Sequence, residues 1–164
     1  MMYEVNHNDP LVDKAHNLVK IYFKDKEDLG GNQYSTHLYR VGYKIENNLR
    51  FSVDSVEEIN KLYIIAVLHD IIEDTDVTIE FLEKEGFDQI IIEAIDVLTK
   101  RKHENYFDYI KHVKENKYSK IVKIYDLEDN MDITRLNKLD DIDFKRLKKY
   151  WKSYKYLTGE IENI

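Results

Sequence analysis

The stretch "LYIIAVLHDIIEDTDVT", residues 62–78, constrains this chain more than any other. An unbroken apolar run from Leu62 to Leu68 belongs inside a protein, because a helix that is apolar all round has no face to offer water. It leads within two turns into His69, Asp70, Glu73 and Asp74. His69 and Glu73 are four apart, as are Asp70 and Asp74, so on a helix the two pairs project on neighbouring faces. Charges that emerge at the end of a buried helix need a partner or a metal. No lysine or arginine follows His69 before Lys84, so local pairing is not available. A divalent cation resolves the conflict.

The remainder reads as helices. One proline and five glycines leave few breakers, and apolar residues recur at three and four. Asp9-Pro10 is a helix start, with Leu11, Ala15, Leu18, Val19 and Tyr22 on one face. Further helices are expected over about 35–47 and from about Ser55, where "SVEE" fits a capping box with Glu58, through "INKLYIIAVLHDIIED". Others are expected over 78–85, 88–99, 105–114, 118–130 and 141–158, the last stopped by Gly159. No alternating strand run or repeat is present. The fold class is all-α, a single-domain helical bundle over residues 1–164, within the roughly 100–200 residues of one domain.

Composition removes several function classes. There is no cysteine, so a metal site here uses imidazole and carboxylate. The formal charge of −7 argues against a general nucleic-acid binder but leaves room for a small polyanion beside a cation. No segment approaches the roughly 18 apolar residues of a membrane span, and "MMYEVNHNDP" lacks the apolar core of a signal peptide. The expectation is a cytoplasmic protein with no membrane and no nucleic-acid partner. The basic end "KRLKKYWKSYKYL" reads as a final helix packing Leu147, Trp151, Tyr154 and Leu157, with its lysines solvated.

Two more places repeat the conflict at residues 69–74. His37 lies on an amphipathic helix in "QYSTHLYRVGYKI". Asp126 and Asn130 are four apart in "SKIVKIYDLEDNMDI", among Ile121, Val122, Ile124, Leu127 and Met131. Singly, His37 reads as a core histidine, and Asp126 as a partner of Lys123 or Arg135. The order histidine, His-Asp, then a distant aspartate on a late helix is far more specific.

With those residues in view, the sequence resembles HD-domain phosphohydrolases. More narrowly it resembles the hydrolase domain of the RelA/SpoT family and its stand-alone small alarmone hydrolases. The family's "HD..EDT" run is matched by "HDIIEDT", its "LTK" element and nearby tyrosine by "DVLTKRKHENYFDYI", and its "VKLADRLHNM"-like helix by "IVKIYDLEDNMDI". Upstream, Ala15-His16 and "QYSTHLYRV" match more loosely, and the resemblance runs from about Leu11 to Leu136. There are departures. No proline follows His37, the stretch from His16 to His37 is longer, and Lys24 and Lys26 match the family's basic pair only loosely. Leu127, Glu128 and Asp129 stand where the family has an arginine and a histidine. These departures fall on recognition positions and leave the metal ligands intact.

The resemblance implies an HD-type helical bundle and a ligand set of His37, His69, Asp70 and Asp126 around one divalent ion. Mixed nitrogen and oxygen donors without thiolate suit Mn2+, with Fe2+, Mg2+ and Zn2+ as alternatives. It implies Glu73 and Asp74 as the catalytic acids, and Asn130 and Tyr106 as substrate contacts; Lys100, Arg101 and Lys102, otherwise a solvated loop, offer the positive charge a polyphosphate needs, and Arg40 and Lys123 add to it. His16, His103 and His112 read as edge or surface histidines. The expected activity is phosphohydrolysis of a small nucleotide, with guanosine tetra- or pentaphosphate cleaved at the 3'-pyrophosphate as the leading substrate. The alternatives are an HD nucleotidase for ordinary nucleoside phosphates and a non-catalytic nucleotide-binding sensor.

Overall fold

Side-chain caps start most of the helices. The computed structural model describes residues 1–164. Asp9 accepts the Leu11 N–H at 2.8 Å and opens α1 (Pro10–Tyr22), which buries Val12, Ala15, Leu18 and Val19. Helix α2 (Ser35–Leu49) has no side-chain cap. Ser55 caps α3 (Val56–Leu68) through the Glu58 N–H at 3.1 Å. The return arm of the expected capping box is missing: Glu58 accepts the N–H of Asp54, one residue before the cap, at 3.0 Å. Helix α4 (Ile71–Asp74) is a single turn, followed by α5 (Ile79–Lys84) capped by Thr78 and α6 (Gln89–Leu98) capped by Asp88. Asn105 caps α7 (Tyr106–Glu115) and Asn116 caps α8 (Lys117–Asn130). A 3-10 turn at Ile133–Arg135 leads to α9 (Asp141–Leu157), where Asp140 and Asp143 form a complete capping box. The only strand-like feature is an isolated bridge between Glu27 and Gln33.

Helix α3 is the axis of the bundle. It packs against α1, α2, α6 and α8, and its residues from Leu62 to Leu68 are all buried. Gly42 lets α2 approach it closely: a Cβ there would lie 2.9 Å from the Tyr63 ring. Helix α8 packs against both α2 and α3, so polar residues on its inner face meet those helices below the surface. No helix is long and apolar enough to cross a membrane.

Two expectations are corrected. The helix through "INKLYIIAVLHDIIED" is not continuous: α3 stops at Leu68, and Asp70 takes φ −102°, ψ 3° before α4 begins. The Nδ1 of His69 bonds the Ala66 carbonyl at 2.7 Å, the acceptor that a continuing helix would use for the Asp70 N–H. Helix α9 turns Leu147, Tyr154 and Leu157 inward as expected, but not Trp151. It buries Ser153 and Leu157 and half-buries Tyr150 and Tyr154, while Trp151 remains 55% exposed. The inward row is Arg146, Tyr150, Ser153 and Leu157, at helical spacing, and Trp151 lies outside it.

Candidate metal centre

Three helices meet at one buried point. Helix α2 supplies His37, the end of α3 supplies His69, the break after it supplies Asp70, and α8 supplies Asp126. The Oδ1 of Asp126 lies 3.2 Å from His37 Nε2 and 3.5 Å from His69 Nε2. The Oδ2 of Asp70 lies 3.1 Å from His69 Nε2 and 3.9 Å from His37 Nε2. Donor atoms of His37, His69 and Asp126 all fall within 4.8 Å of one another. The helix break lets Asp70 share this point with its neighbour His69, since consecutive residues on an unbroken helix point about 100° apart.

The imidazoles are oriented from behind. His69 Nδ1 donates to the Ala66 carbonyl, so in the neutral ring Nε2 carries the lone pair, and that Nε2 is buried without a hydrogen-bond partner. His37 Nδ1 lies 2.8 Å from Asp129 Oδ2, which leaves its Nε2 lone pair facing the same point. Two buried imidazole nitrogens this close to two carboxylates need a proton or a metal cation between them. Imidazole nitrogen and carboxylate oxygen, backed by a carbonyl and a carboxylate, are a donor set suited to a divalent metal.

Burial alone would push both histidines down. Asp126 and Asp129 outweigh it at His37, and Asp70 and Asp126 outweigh it at His69, so both pKa values are raised. Burial likewise opposes ionisation of Asp126, but Lys123 and the two histidines hold its carboxyl well below the usual range.

A ring of polar groups holds the carboxylates. Lys123 Nζ lies 2.8 Å from Asp126 Oδ2, and Asn130 donates to Asp126 Oδ1 at 2.6 Å. The Tyr34 hydroxyl donates to Asp70 Oδ2 at 2.6 Å. Arg40 donates to both Asp129 oxygens at 3.0 Å, with Lys44 at 3.5 Å and Arg135 at 3.6 Å. Arg135 reaches on to Asp28 at 3.0 Å and so ties the loop after α1 to the centre.

A cavity of about 600 Å³ opens over this point. His37, Asp70, Asp126, Glu73, Asn130, Lys100 and Tyr106 all line it. Glu73 accepts the Lys100 N–H at 2.9 Å, and burial raises its pKa. Other residues singled out in the sequence lie elsewhere. Asp74 turns to Lys26, 3.4 Å away, because α4 is one turn long and its last residue faces the loop after α1. Arg40 is engaged by Asp129 and does not line the cavity. Arg101 pairs with Asp96, and Lys102 is exposed. His16 is half-buried and meets the Tyr63 hydroxyl at 3.0 Å.

The cavity also contains residues that sequence reading passed over. Arg146, Lys149 and Tyr150 reach it from α9, and Tyr34 and Asp28 from the segment between α1 and α2. The pattern "RLKKY" spaces Arg146, Lys149 and Tyr150 at three and four and so held the signal. It was hidden among the other lysines of α9, of which Lys145 and Lys148 are exposed.

No protein-family model matches this chain, and no curated protein does. A solved structure does match, described as a metazoan ortholog of SpoT that hydrolyzes ppGpp and plays a role in starvation responses. The two share 18% identity over 97% of this chain and 92% of the other, with a TM-score of 0.72. The chain therefore shares its all-helical fold with that protein, in line with the helical bundle expected from the sequence.

Proposed function

We propose that this chain is a metal-dependent phosphohydrolase of nucleotides, acting on guanosine tetra- or pentaphosphate at the 3'-pyrophosphate. The observation that supports it best is the pair of buried Nε2 atoms, of His37 and His69, set against Asp70 and Asp126 beneath a cavity that also contains cations. His37, His69, Asp70 and Asp126 would hold the ion, and Mn2+ suits these donors. Such an ion polarises a phosphoryl oxygen and lowers the pKa of a bound water.

The chain's own groups carry the rest of the reaction. Glu73 lies in the cavity with its pKa raised by burial, which suits a carboxylate that acts as base and takes a proton from the attacking water. Water adds to phosphorus, the bond to the ribose 3' oxygen breaks, and that oxygen gains the proton. Asn130 keeps Asp126 oriented, and Tyr34 does the same for Asp70. Lys100 and Arg146 supply positive charge against a polyphosphate, and Tyr106 and Tyr150 supply ring faces for a base. The matching fold of a protein that hydrolyzes ppGpp supports this substrate over others.

One observation favours a second reading, a nucleotide-binding sensor without turnover: Asp74, one of the two expected acids, is tied to Lys26. The test is purified protein with Mn2+ and, in turn, guanosine tetraphosphate and nucleoside monophosphates. Release of pyrophosphate from the first supports the proposal. Turnover of monophosphates alone means a nucleotidase, and binding without any turnover means a sensor.

A further inference from the structure

The segment between α1 and α2 is held by polar contacts. Leu29, its one apolar side chain from Lys24 to Gln33, is 69% exposed. The backbone folds back on itself: the Asp28 N–H donates to the Asn32 carbonyl at 2.7 Å, and the Tyr34 N–H to the Lys26 carbonyl at 2.8 Å. Asp28 shapes the turn with one oxygen and anchors it with the other. Its Oδ1 accepts the N–H groups of Gly30 and Asn32 at 2.9 and 3.0 Å, and its Oδ2 accepts from Arg135 at 3.0 Å. A Cβ at Gly30 would run into the Arg135 carbonyl, so the segment presses on the turn after α8, where Asn137 donates to the Gly30 carbonyl at 3.0 Å. A segment without a buried apolar anchor opens easily unless its polar contacts hold.

Two of those contacts lead to the same place. Arg135 carries the first: one arm of its guanidinium holds Asp28, and the other donates to the Asp129 carbonyl at 2.8 Å. That second arm also lies 3.6 Å from Asp129 Oδ2, the oxygen that meets His37. Tyr34 is the second. Its hydroxyl bonds Asp70 directly, and its ring stacks on Phe23 at 5.5 Å. The segment is thus fastened at Asp28 and at Tyr34, and each fastening ends on a candidate metal ligand, His37 by way of Asp129 and Asp70 directly. Lys26 adds a pair with Asp74, which is not a ligand candidate. From the same segment Glu27, Asp28, Leu29 and Tyr34 line the cavity.

We infer that Asp28 and Arg135 are positioning residues that couple the α1–α2 segment to the metal centre. A divalent cation held by His37 and Asp70 fixes both fastenings at once, and the fastened segment in turn holds those two side chains in place for the cation. This rests on the metal reading of the centre and extends it: occupancy of the centre also builds one wall of the cavity. Such coupling is reciprocal, so the factor by which the cation favours the closed segment is the factor by which the closed segment favours the cation.

The test joins two measurements on the whole chain: hydrogen exchange of residues 24–34 by mass spectrometry, with Mn2+ and in chelator, and Mn2+ affinity by competition with a coloured chelator. In wild type, Mn2+ should slow exchange of the segment at least about fivefold, the lower end of coupling between sites. Arg135→Lys keeps the charge but cannot span Asp28 and Asp129 with one planar fork. It should erase that protection and weaken Mn2+ by a comparable factor. Asp28→Asn should act in the same direction. Asp25→Asn, which removes the same charge from an exposed position of the segment, should change neither reading. Full protection by Mn2+ in Arg135→Lys overturns the coupling, and so does an equal loss of affinity in Asp25→Asn and Asp28→Asn. Mn2+ that binds wild type without slowing exchange overturns the coupling and leaves the metal centre standing. Wild type that takes up neither Mn2+ nor Zn2+ overturns the centre and the coupling together.

Discussion

The Oδ2 of Asp129 lies 2.8 Å from the Nδ1 of His37, and this contact fixes which imidazole nitrogen faces the candidate metal centre. Asp129 is 1% exposed and is itself gripped by Arg40, Lys44 and Arg135. It stands where the resembling family has a histidine. A carboxylate behind a ligating imidazole fixes its tautomer and raises its basicity as a ligand.

Asp129→Asn should therefore weaken Mn2+ binding about 10–100-fold, the usual cost of losing such a partner. Competition with a coloured chelator measures it, and circular dichroism should show the helices intact. Unchanged affinity would remove Asp129 from any role at the centre.

The two acids of "EDT" should separate. Glu73→Gln should lower kcat roughly 10²–10⁴-fold at near-normal metal content, the usual worth of a positioned acid or base. Asp74→Asn should cost less than about tenfold, because its carboxylate meets Lys26 outside the cavity. Equal losses in the two variants would mean that Asp74 swings into the cavity during turnover.

Asp126→Ala should abolish metal binding and also destabilise the fold. Lys123 would be left largely buried without its counter-charge, at a cost of about 3–5 kcal/mol. Adding Lys123→Met should recover stability in urea melts but not metal binding. A single variant as stable as wild type would show that Lys123 finds another partner.

The pH dependence follows from the same contacts. The carboxyls of Asp126 and Asp129 are depressed, so their contribution to stability is present above the unfolded value of about 3.9 and is lost as pH falls toward their folded values. His37 and His69 are raised, so theirs is full below about 6.5 and is lost as pH rises through their folded values. In chelator, Tm should peak between about pH 4 and 6.5. With Mn2+ the peak should move to higher pH, because the ligating form of histidine is neutral. Superimposed profiles with and without metal would contradict the assigned ligands.

Much of the fold was legible because its signals are local. Asp9-Pro10, Ser55, Thr78, Asp88 and Asn105 each mark a helix start through a side chain within three residues of its partner. The break at His69–Asp70 was not legible, since nothing in an apolar run shows that a histidine side chain will take a backbone carbonyl. The candidate ligands stood out as polar residues in apolar surroundings. Their outer partners did not. Asp129 reads as one more acid on a charged helix until α2 brings His37 and Arg40 against it, 92 and 89 residues away in sequence. Lys149 was hidden for the opposite reason, as one lysine among several on α9.

Helix α8 carries Lys123, Asp126, Asp129 and Asn130 within little more than two turns, and every one of them touches the centre or a residue that does. Inserting or deleting one residue ahead of Lys123 would rotate all four by about 100° together. The segment joining α1 to α2, by contrast, touches the centre through separate side chains such as Tyr34 and Asp28. Length changes in descendants of this chain should therefore collect in that segment and be purged from α8, where the unit of inheritance is the whole register.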